Sequence, residues 1–305
     1  MGRHAYMILA HHQWPLLKIL IQLLDDNRND IYIHIDEKVK DVPINELRQT
    51  GLKSKIYFVD RLPIYRGSFS LFEAEMILLK AALTRGEYSF YHLLSGQDLP
   101  LRNQDFMHTF FENAEGKNFI DVITPDRIKK DWYERIALYH PLSRYVLGKP
   151  IVAIPARGVR RVALFIQKIM HVNRLKKYEN QGLAFCYGSN WFSITKPFAE
   201  YIVKNESLIR KVFSKCTLAP EELIPQTLLW SSEFRSTLYA SEELDGRLQR
   251  ANLRAVFWNG FVSPETITMI HIKKIQETKN LFARKFDIEK YPEAVEAILK
   301  MVSRS

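Results

Sequence analysis

Cysteine is nearly absent from this 305-residue chain, which holds only Cys186 and Cys216. Two cysteines without ligand spacing make neither a disulfide framework nor a zinc site, and both read as small buried hydrophobes. No apolar run approaches the roughly 18 residues that a membrane span needs. No repeat, low-complexity tract or Gly/Ser linker is present. The apolar stretch Ala5–Ala10 has the length of a signal-peptide core, but His11 and His12 follow it and no small-residue cleavage site does. Gly2 lacks a myristoylation context because Tyr6 stands where Ser or Thr is needed. These absences lead to the expectation of a soluble, cytoplasmic protein.

The composition is ordinary for a globular chain, 47% hydrophobic and 26% charged, and the net charge is +10. The positive excess sits in two stretches. One runs from Arg157, Arg160 and Arg161 through Lys168 and Arg174 to Lys176 and Lys177, and the other holds Lys273, Lys274, Lys279, Arg284 and Lys285. Such charge suits a phosphorylated substrate, nucleic acid or peripheral contact with an anionic membrane surface. Neither stretch is interleaved with stacking aromatics, so no nucleic acid partner is expected.

Apolar periodicity alternates between strand and helix. Residues 5–10, 31–35, 55–59 and 91–94 read as strands, while Leu16, Leu17, Leu20, Leu23 and Leu24 make one face of a helix over 15–24. A second helix, over 71–83, places Phe72, Met76, Leu79 and Leu83 on one side. This alternation predicts an α/β fold with a mostly parallel central sheet covered by helices on both faces. Pro125, Pro141, Pro150 and Pro155 interrupt the next region, which should hold loops and a helix over 158–174 lying on the sheet. Order returns at 183–187 and 191–195, either side of Gly188-Ser189-Asn190. Pro197 opens a helix. A further helix is expected after Ala219-Pro220 with Glu221 and Glu222 in its first turn, and 294–302 is amphipathic. Nothing divides the chain, so residues 1–305 are read as a single domain.

Ligands of parallel sheets bind beyond the carboxyl ends of the strands. His11-His12, His34-x-Asp36 and Ser95-Gly96-Gln97-Asp98 all fall on that edge. An aspartate there accepts hydrogen bonds from a ribose or a base; the alternative is that these are ordinary turn residues. No metal is expected. The chain has no Asp-x-Asp, Glu73 and Glu75 point apart on their helix, and no histidines stand at i, i+4. If a diphosphate leaves without a metal, cations must take up its charge. Arg254 and Lys285, each with apolar neighbours, are candidates; solvated surface charge is the alternative. Acids are common in a first helical turn because of the helix dipole, so Glu221 and Glu222 are either that or the place of a general base.

Several motifs then occur in order: Ala10-His-His12, His34-Ile-Asp-Glu-Lys38, Tyr65-Arg-Gly-Ser68, Tyr91-His-Leu-Leu-Ser-Gly-Gln-Asp-Leu-Pro100, Gly188-Ser-Asn-Trp-Phe192, Ala219-Pro-Glu-Glu222, Asn252-Leu-Arg254 and Leu281-Phe-Ala-Arg-Lys-Phe-Asp287. With them the chain resembles the core-2/I-branching β-1,6-N-acetylglucosaminyltransferase family, which includes the peptide O-xylosyltransferases. The resemblance implies a GT-A glycosyltransferase fold and inverting, metal-independent transfer from a UDP-sugar, with no cofactor, to a glycan or lipid-linked glycan acceptor. The family's Pro-Asp-Glu becomes Pro220-Glu221-Glu222, which puts Glu222 at the catalytic base and Glu221 beside it on the acceptor side. Arg254 and Lys285 fall on diphosphate-binding cations. Asp36 falls on the uridine-recognising aspartate, with Ala10, His11 and His12 next to it. Tyr65, Gly67 and Ser68 match the donor-sugar side, and Asp98 and Trp191 the acceptor or sugar side. Animal members carry a membrane anchor, a stem and many disulfides. This sequence shows no anchor-like apolar run and has two cysteines, which leads to the expectation of a soluble bacterial-type member in surface polysaccharide biosynthesis, cytoplasmic or peripheral at the inner face of the membrane. A non-catalytic UDP-sugar or glycan-binding module, and a basic nucleic-acid-binding protein indifferent to UDP, are the alternatives in other classes.

Overall fold

The computed structural model describes residues 2–146, 150–215, 217–239, 251–260 and 263–304. Cys216 lies outside them. The strands are β1 (His4–Ala10), β2 (Asn29–Ile35), β3 (Lys55–Phe58), β4 (Phe90–Ser95), β5 (Leu99–Pro100), β6 (Ser193–Thr195), β7 (Arg254–Val256) and β8 (Phe282–Arg284). Five of them form the central sheet in the order β3-β2-β1-β4-β6. All its pairings are parallel except that of β6 with β4. A small second sheet has the order β5-β8-β7.

The helices are α1 (Trp14–Leu24), α2 (Ile44–Arg48), α3 (Ser70–Arg85), α4 (Gln104–Asn113), α5 (Lys130–Ala137), α6 (Ser143–Val146), α7 (Pro150–Ile169), α8 (Lys176–Glu179), α9 (Lys196–Lys204), α10 (Glu206–Phe213), α11 (Ile224–Trp230), α12 (Met269–Glu277) and α13 (Pro292–Val302). The central strands are buried along their whole length, so successive side chains enter opposite cores. Ala5, Met7 and Leu9 pack with Phe72, Leu79 and Phe198, from α3 and α9. Tyr6, Ile8 and Ala10 pack with Leu16, Leu20 and Ile298, from α1 and α13. Each buried leucine or isoleucine contributes on the order of 1.5–3 kcal/mol. The fold is α/β with a mostly parallel, doubly covered sheet, as the periodicity implied.

Three segments differ from expectation. The helix expected over 158–174 is α7, which starts earlier and makes its main contacts with α6 instead of lying on the sheet. Pro155 is tolerated because it lies in the second turn, where its missing N–H forfeits only the bond to Ile151. Residues 183–187 form no strand; Tyr187 makes a single bridge to Ile123, and the Cys186 amide donates to Thr227 Oγ1 at 3.1 Å. The helix expected after Pro220 is broken. Pro220–Glu222 forms one 3₁₀ turn, and α11 begins beyond Leu223. Pro225 cannot donate to the Glu221 carbonyl, which blocks a continuous helix and suits the start of a new one.

Candidate active site

The carboxyl ends of β1, β2 and β4 are stitched together. The Asp36 amide donates to the Ala10 carbonyl at 3.1 Å, and the Gly96 amide to the Leu9 carbonyl at 2.9 Å. A Cβ on Gly96 would stand 3.3 Å from that of Ala10, which leaves little room for a side chain. His11 and His12 leave β1 with their rings 4.1 Å apart. The segment after β8 closes over this edge. Gln97 and Phe286 exchange bonds, Phe286 N–H to Gln97 O at 2.9 Å and Gln97 Nε2 to Phe286 O at 3.1 Å. Gln13 donates from Nε2 to Asp287 Oδ1 at 3.0 Å. Lys285 is thereby held at the edge, its Nζ donating to Ser263 Oγ at 3.0 Å. Burial lowers its pKa, and Arg284 and Arg66 add to the shift.

Asp36 is buried, and Oδ1 accepts the amides of Lys38 at 3.0 Å and Ile64 at 3.3 Å. Oδ2 pairs with Lys38 Nζ at 3.4 Å. His34 is fully buried and its pKa is pushed down to about 4 by burial, so it is a neutral acceptor for the Leu62 amide. Tyr65 is half-buried, with Arg144 stacked 3.7 Å from its ring centroid. Gly67 has φ 76°, the left-handed region that favours glycine.

The turn Tyr65–Ser68 is tied to the acidic turn, because the Ala219 amide donates to the Gly67 carbonyl at 2.9 Å. Gly188 approaches from the other side, its amide donating to the Glu222 carbonyl at 2.9 Å. Only glycine fits there, since a Cβ would fall 1.7 Å from the Asp121 carbonyl oxygen. Gln226 clamps the same loop by donating to the Ser189 carbonyl at 2.7 Å. Two motifs far apart in sequence, Tyr65–Ser68 and Gly188–Phe192, therefore converge on Pro220-Glu221-Glu222.

The two glutamates are placed differently. Glu222 keeps 31% of its side chain exposed and accepts from Arg135 at 3.1 Å. Partial burial raises its pKa, and Arg135 and Arg66 oppose the shift. Glu221 is buried and is pushed up to about 8, by burial first and the Glu222 charge second. Its charge also acts on Glu75, a buried carboxyl of α3 whose Oε1 accepts from Asn190 at 3.3 Å. The Oε2 atoms of both Glu75 and Glu221 lack partners. Glu221 thus faces an inner carboxyl and not the open surface expected of an acceptor contact.

Two further expectations are corrected. Arg254 does not face the edge: it is 1% exposed. Its guanidinium donates to the carbonyls of Asn252 and Phe192 and to Ser193 Oγ, and it lies 4.6 Å from the centre of the Phe282 ring. Burial lowers its pKa to about 9. The reason is position, since β7 pairs with β8 and sets the Arg254 guanidinium against Phe282, the Phe192 carbonyl and Ser193. Asp98 is wholly buried; it accepts from the Ser95 amide at 3.0 Å and pairs with Arg284 at 3.4 Å. Burial raises its pKa and Arg284 opposes the shift. Arg284 in turn stacks 4.1 Å from the half-buried Trp191 ring. Asp98 is thus a support for Trp191's neighbour and not itself an open contact.

Sequence reading missed four contributors. Arg66 is exposed and acts electrostatically on Glu221, Glu222 and Lys285; its signal lay inside the Tyr65–Ser68 motif. Gln13 follows the two histidines directly. Arg135 and Glu75 carried no signal, because only tertiary packing brings α5 and α3 to the acidic turn. Among the described residues, no group of three or more His, Cys, Asp or Glu is arranged to hold a metal ion, and no helix is long and apolar enough to cross a membrane.

Fold and site together define an α/β protein whose site combines a partly exposed carboxylate with nearby cations. The chain belongs to the core-2/I-branching enzyme family, whose model matches residues 4–282. It is 20% identical to mouse (Mus musculus) N-acetyllactosaminide β-1,6-N-acetylglucosaminyl-transferase, over 96% of this chain and 71% of that protein. It is 24% identical to mouse β-1,3-galactosyl-O-glycosyl-glycoprotein β-1,6-N-acetylglucosaminyltransferase 4, over 89% of this chain and 56% of that one. With Rattus norvegicus xylosyltransferase 2 it shares 26% identity, over 84% of this chain but 27% of that protein. The apo crystal structure of mouse xyloside xylosyltransferase 1 aligns with a TM-score of 0.34 at 11% identity, covering 76% of this chain and 82% of that one, too slight a likeness to bear on the site.

Proposed function

We propose that this chain is an inverting, metal-independent glycosyltransferase of the GT-A type, moving a sugar from a UDP-sugar to a hydroxyl of a glycan or lipid-linked glycan acceptor. The observation that carries this reading is the acidic turn. Of its two glutamates only Glu222 reaches solvent, and two family motifs, Tyr65–Ser68 and Gly188–Phe192, hold the turn in place. Glu222 takes the proton of the acceptor hydroxyl as that oxygen attacks the anomeric carbon. The bond from the anomeric carbon to the diphosphate breaks, and its electron pair leaves with UDP. Attack opposite the leaving group turns an α-linked donor into a β product.

The charge gathering on the diphosphate needs fixed cations. Arg66 acts electrostatically on both Glu222 and Lys285 and so links the acidic turn to that cation. Arg254 works from beneath, holding the backbone of Phe192 and so the segment before β6 that carries Trp191. The Asp36 end of the sheet, with Ala10, His11 and His12, takes the uridine, and Tyr65, Gly67 and Ser68 the donor sugar. Metal independence is supported by the missing Asp-x-Asp and by these cations. The named relatives make GlcNAc and xylose the first donors to try; surface polysaccharide is the acceptor class we propose.

The test is a panel of UDP-GlcNAc, UDP-xylose, UDP-glucose and UDP-galactose, read as UDP release with and without EDTA, for the parent and Glu222→Gln. One donor should turn over in EDTA, and Glu222→Gln should lose about 10²–10⁴-fold in rate while keeping parental UDP affinity. Strict need for a divalent ion refutes the metal-independent part. UDP binding with no turnover by any donor makes the chain a binding module instead.

A further inference from the structure

Helix α7 is amphipathic the wrong way round for a helix of a soluble core. Ala153 and Ala156 face the protein, while Ile151, Ile154, Val162, Phe165, Ile166 and Ile169 are 48–83% exposed. At about 100° per residue these six fall within a sector of about 120° pointing outward. Arg157, Arg161 and Lys168, all exposed, fall in a narrow row along one border of that sector. The 20-residue helix contains no acid, and it presents about 30 Å of straight apolar ridge. A solvent-facing stripe of that extent marks an interaction surface.

We propose that α7 docks the protein on an anionic lipid surface, its apolar sector entering the headgroup–acyl boundary and its cation row lying among the headgroup charges. Charge decides the occupant. The ridge is convex and bordered by cations, and a bilayer offers hydrocarbon and anionic groups in that same layered order. A second copy docked through the same face would set Arg157 and Arg161 opposite a helix with no acid to meet them, while Lys168 already pairs with Glu134 of α5 at 2.7 Å. Docking would also couple to the acidic turn, because helices next to α7 carry residues that touch the site. α7 packs on α6, whose Arg144 stacks on Tyr65, and α5 supplies Arg135 to Glu222. Docking stands without the transferase reading.

The experiment is flotation of the full chain with vesicles of phosphatidylcholine, with and without one-third phosphatidylglycerol, at physiological and raised salt. The parent should float with anionic vesicles, hardly with neutral ones, and less as salt rises. Phe165→Ser combined with Ile169→Ser leaves charge unchanged and should weaken binding on the order of 100-fold. Arg157→Gln combined with Arg161→Gln should lose about fivefold per cation. All four residues are exposed, so the thermal midpoints should match the parent and show that the variants fold. No binding to anionic vesicles overturns the proposal, as does parental binding by the serine variant. A stable dimer that the serine pair dissolves would also overturn it, making this face a contact between copies.

Discussion

Glu221→Gln is a test in which stability and activity should move apart. Glu221 titrates near 4.5 when free and at about 8 in the fold, because burial and Glu222 disfavour its charge. Below pH 4.5 both states are protonated and the residue is neutral to stability. Between pH 4.5 and 8 the unfolded chain releases the proton while the folded one keeps it. Folding is therefore penalised by about 1.4 kcal/mol per pH unit over that window, levelling off above it. At pH 7 the penalty is about 3 kcal/mol. Glutamine removes it and nearly preserves shape. Its amide must find partners where two Oε2 atoms stand unpaired, and a failure there takes back about 1–3 kcal/mol. The net gain at pH 8 should raise the thermal midpoint by several degrees, at roughly 2–4 °C per kcal/mol, and vanish by pH 4.5. Sugar transfer should fall only mildly, because Glu221 does not reach solvent. Equal midpoints at pH 4.5 and 8, relative to the parent, would refute the buried protonated carboxyl.

The remaining predictions concern cations and histidines. Lys285→Ala and Arg66→Ala should each weaken UDP binding about 10- to 100-fold, the worth of a charge-assisted contact of roughly 1.5–3 kcal/mol, with thermal midpoints unchanged. Arg254→Met should instead lower stability by at least about 2 kcal/mol, since it strips donors from two buried carbonyls and Ser193; calorimetry decides, and an unchanged midpoint with lost UDP binding would return Arg254 to the diphosphate. His34, His108 and His140 are buried and held down at about 4 by burial. Their contribution is intact above pH 6.5 and is lost as pH falls through 4, about 2 kcal/mol each at pH 5. Urea unfolding at pH 7 and 5 should show that loss, and His108→Gln should shrink it.

Much of this was legible from pattern alone. Strands β1, β2 and β4 alternate sides with a period of two, and α1 and α3 carry helical stripes, so sheet and cover layers could be read directly. The ligand edge was legible because strand ends place His11, Asp36 and Gln97 together by topology. What failed depended on burial. Arg254 sits between apolar neighbours as a phosphate cation would, but only the packing of β7 against Phe282 shows that its guanidinium faces inward. Asp98 was lost to its pairing with Arg284 in the same way. The direction of α7 was illegible, because an apolar stripe has the same period whether it faces a sheet or solvent.

The clasp between the edge and the segment after β8 has a consequence for how the protein is made. Gln97 meets Phe286 across 189 residues, and Gln13 meets Asp287 across 274. On the ribosome, β1, β2 and β4 emerge well before β8 and can pair while the later segment is still untranslated. Lys285 and its neighbours follow only after β8, and only then is the edge closed. Until that segment has emerged the molecule owns a sheet with an open edge, so a ligand that needs the clasp can be held only after β8 has been made.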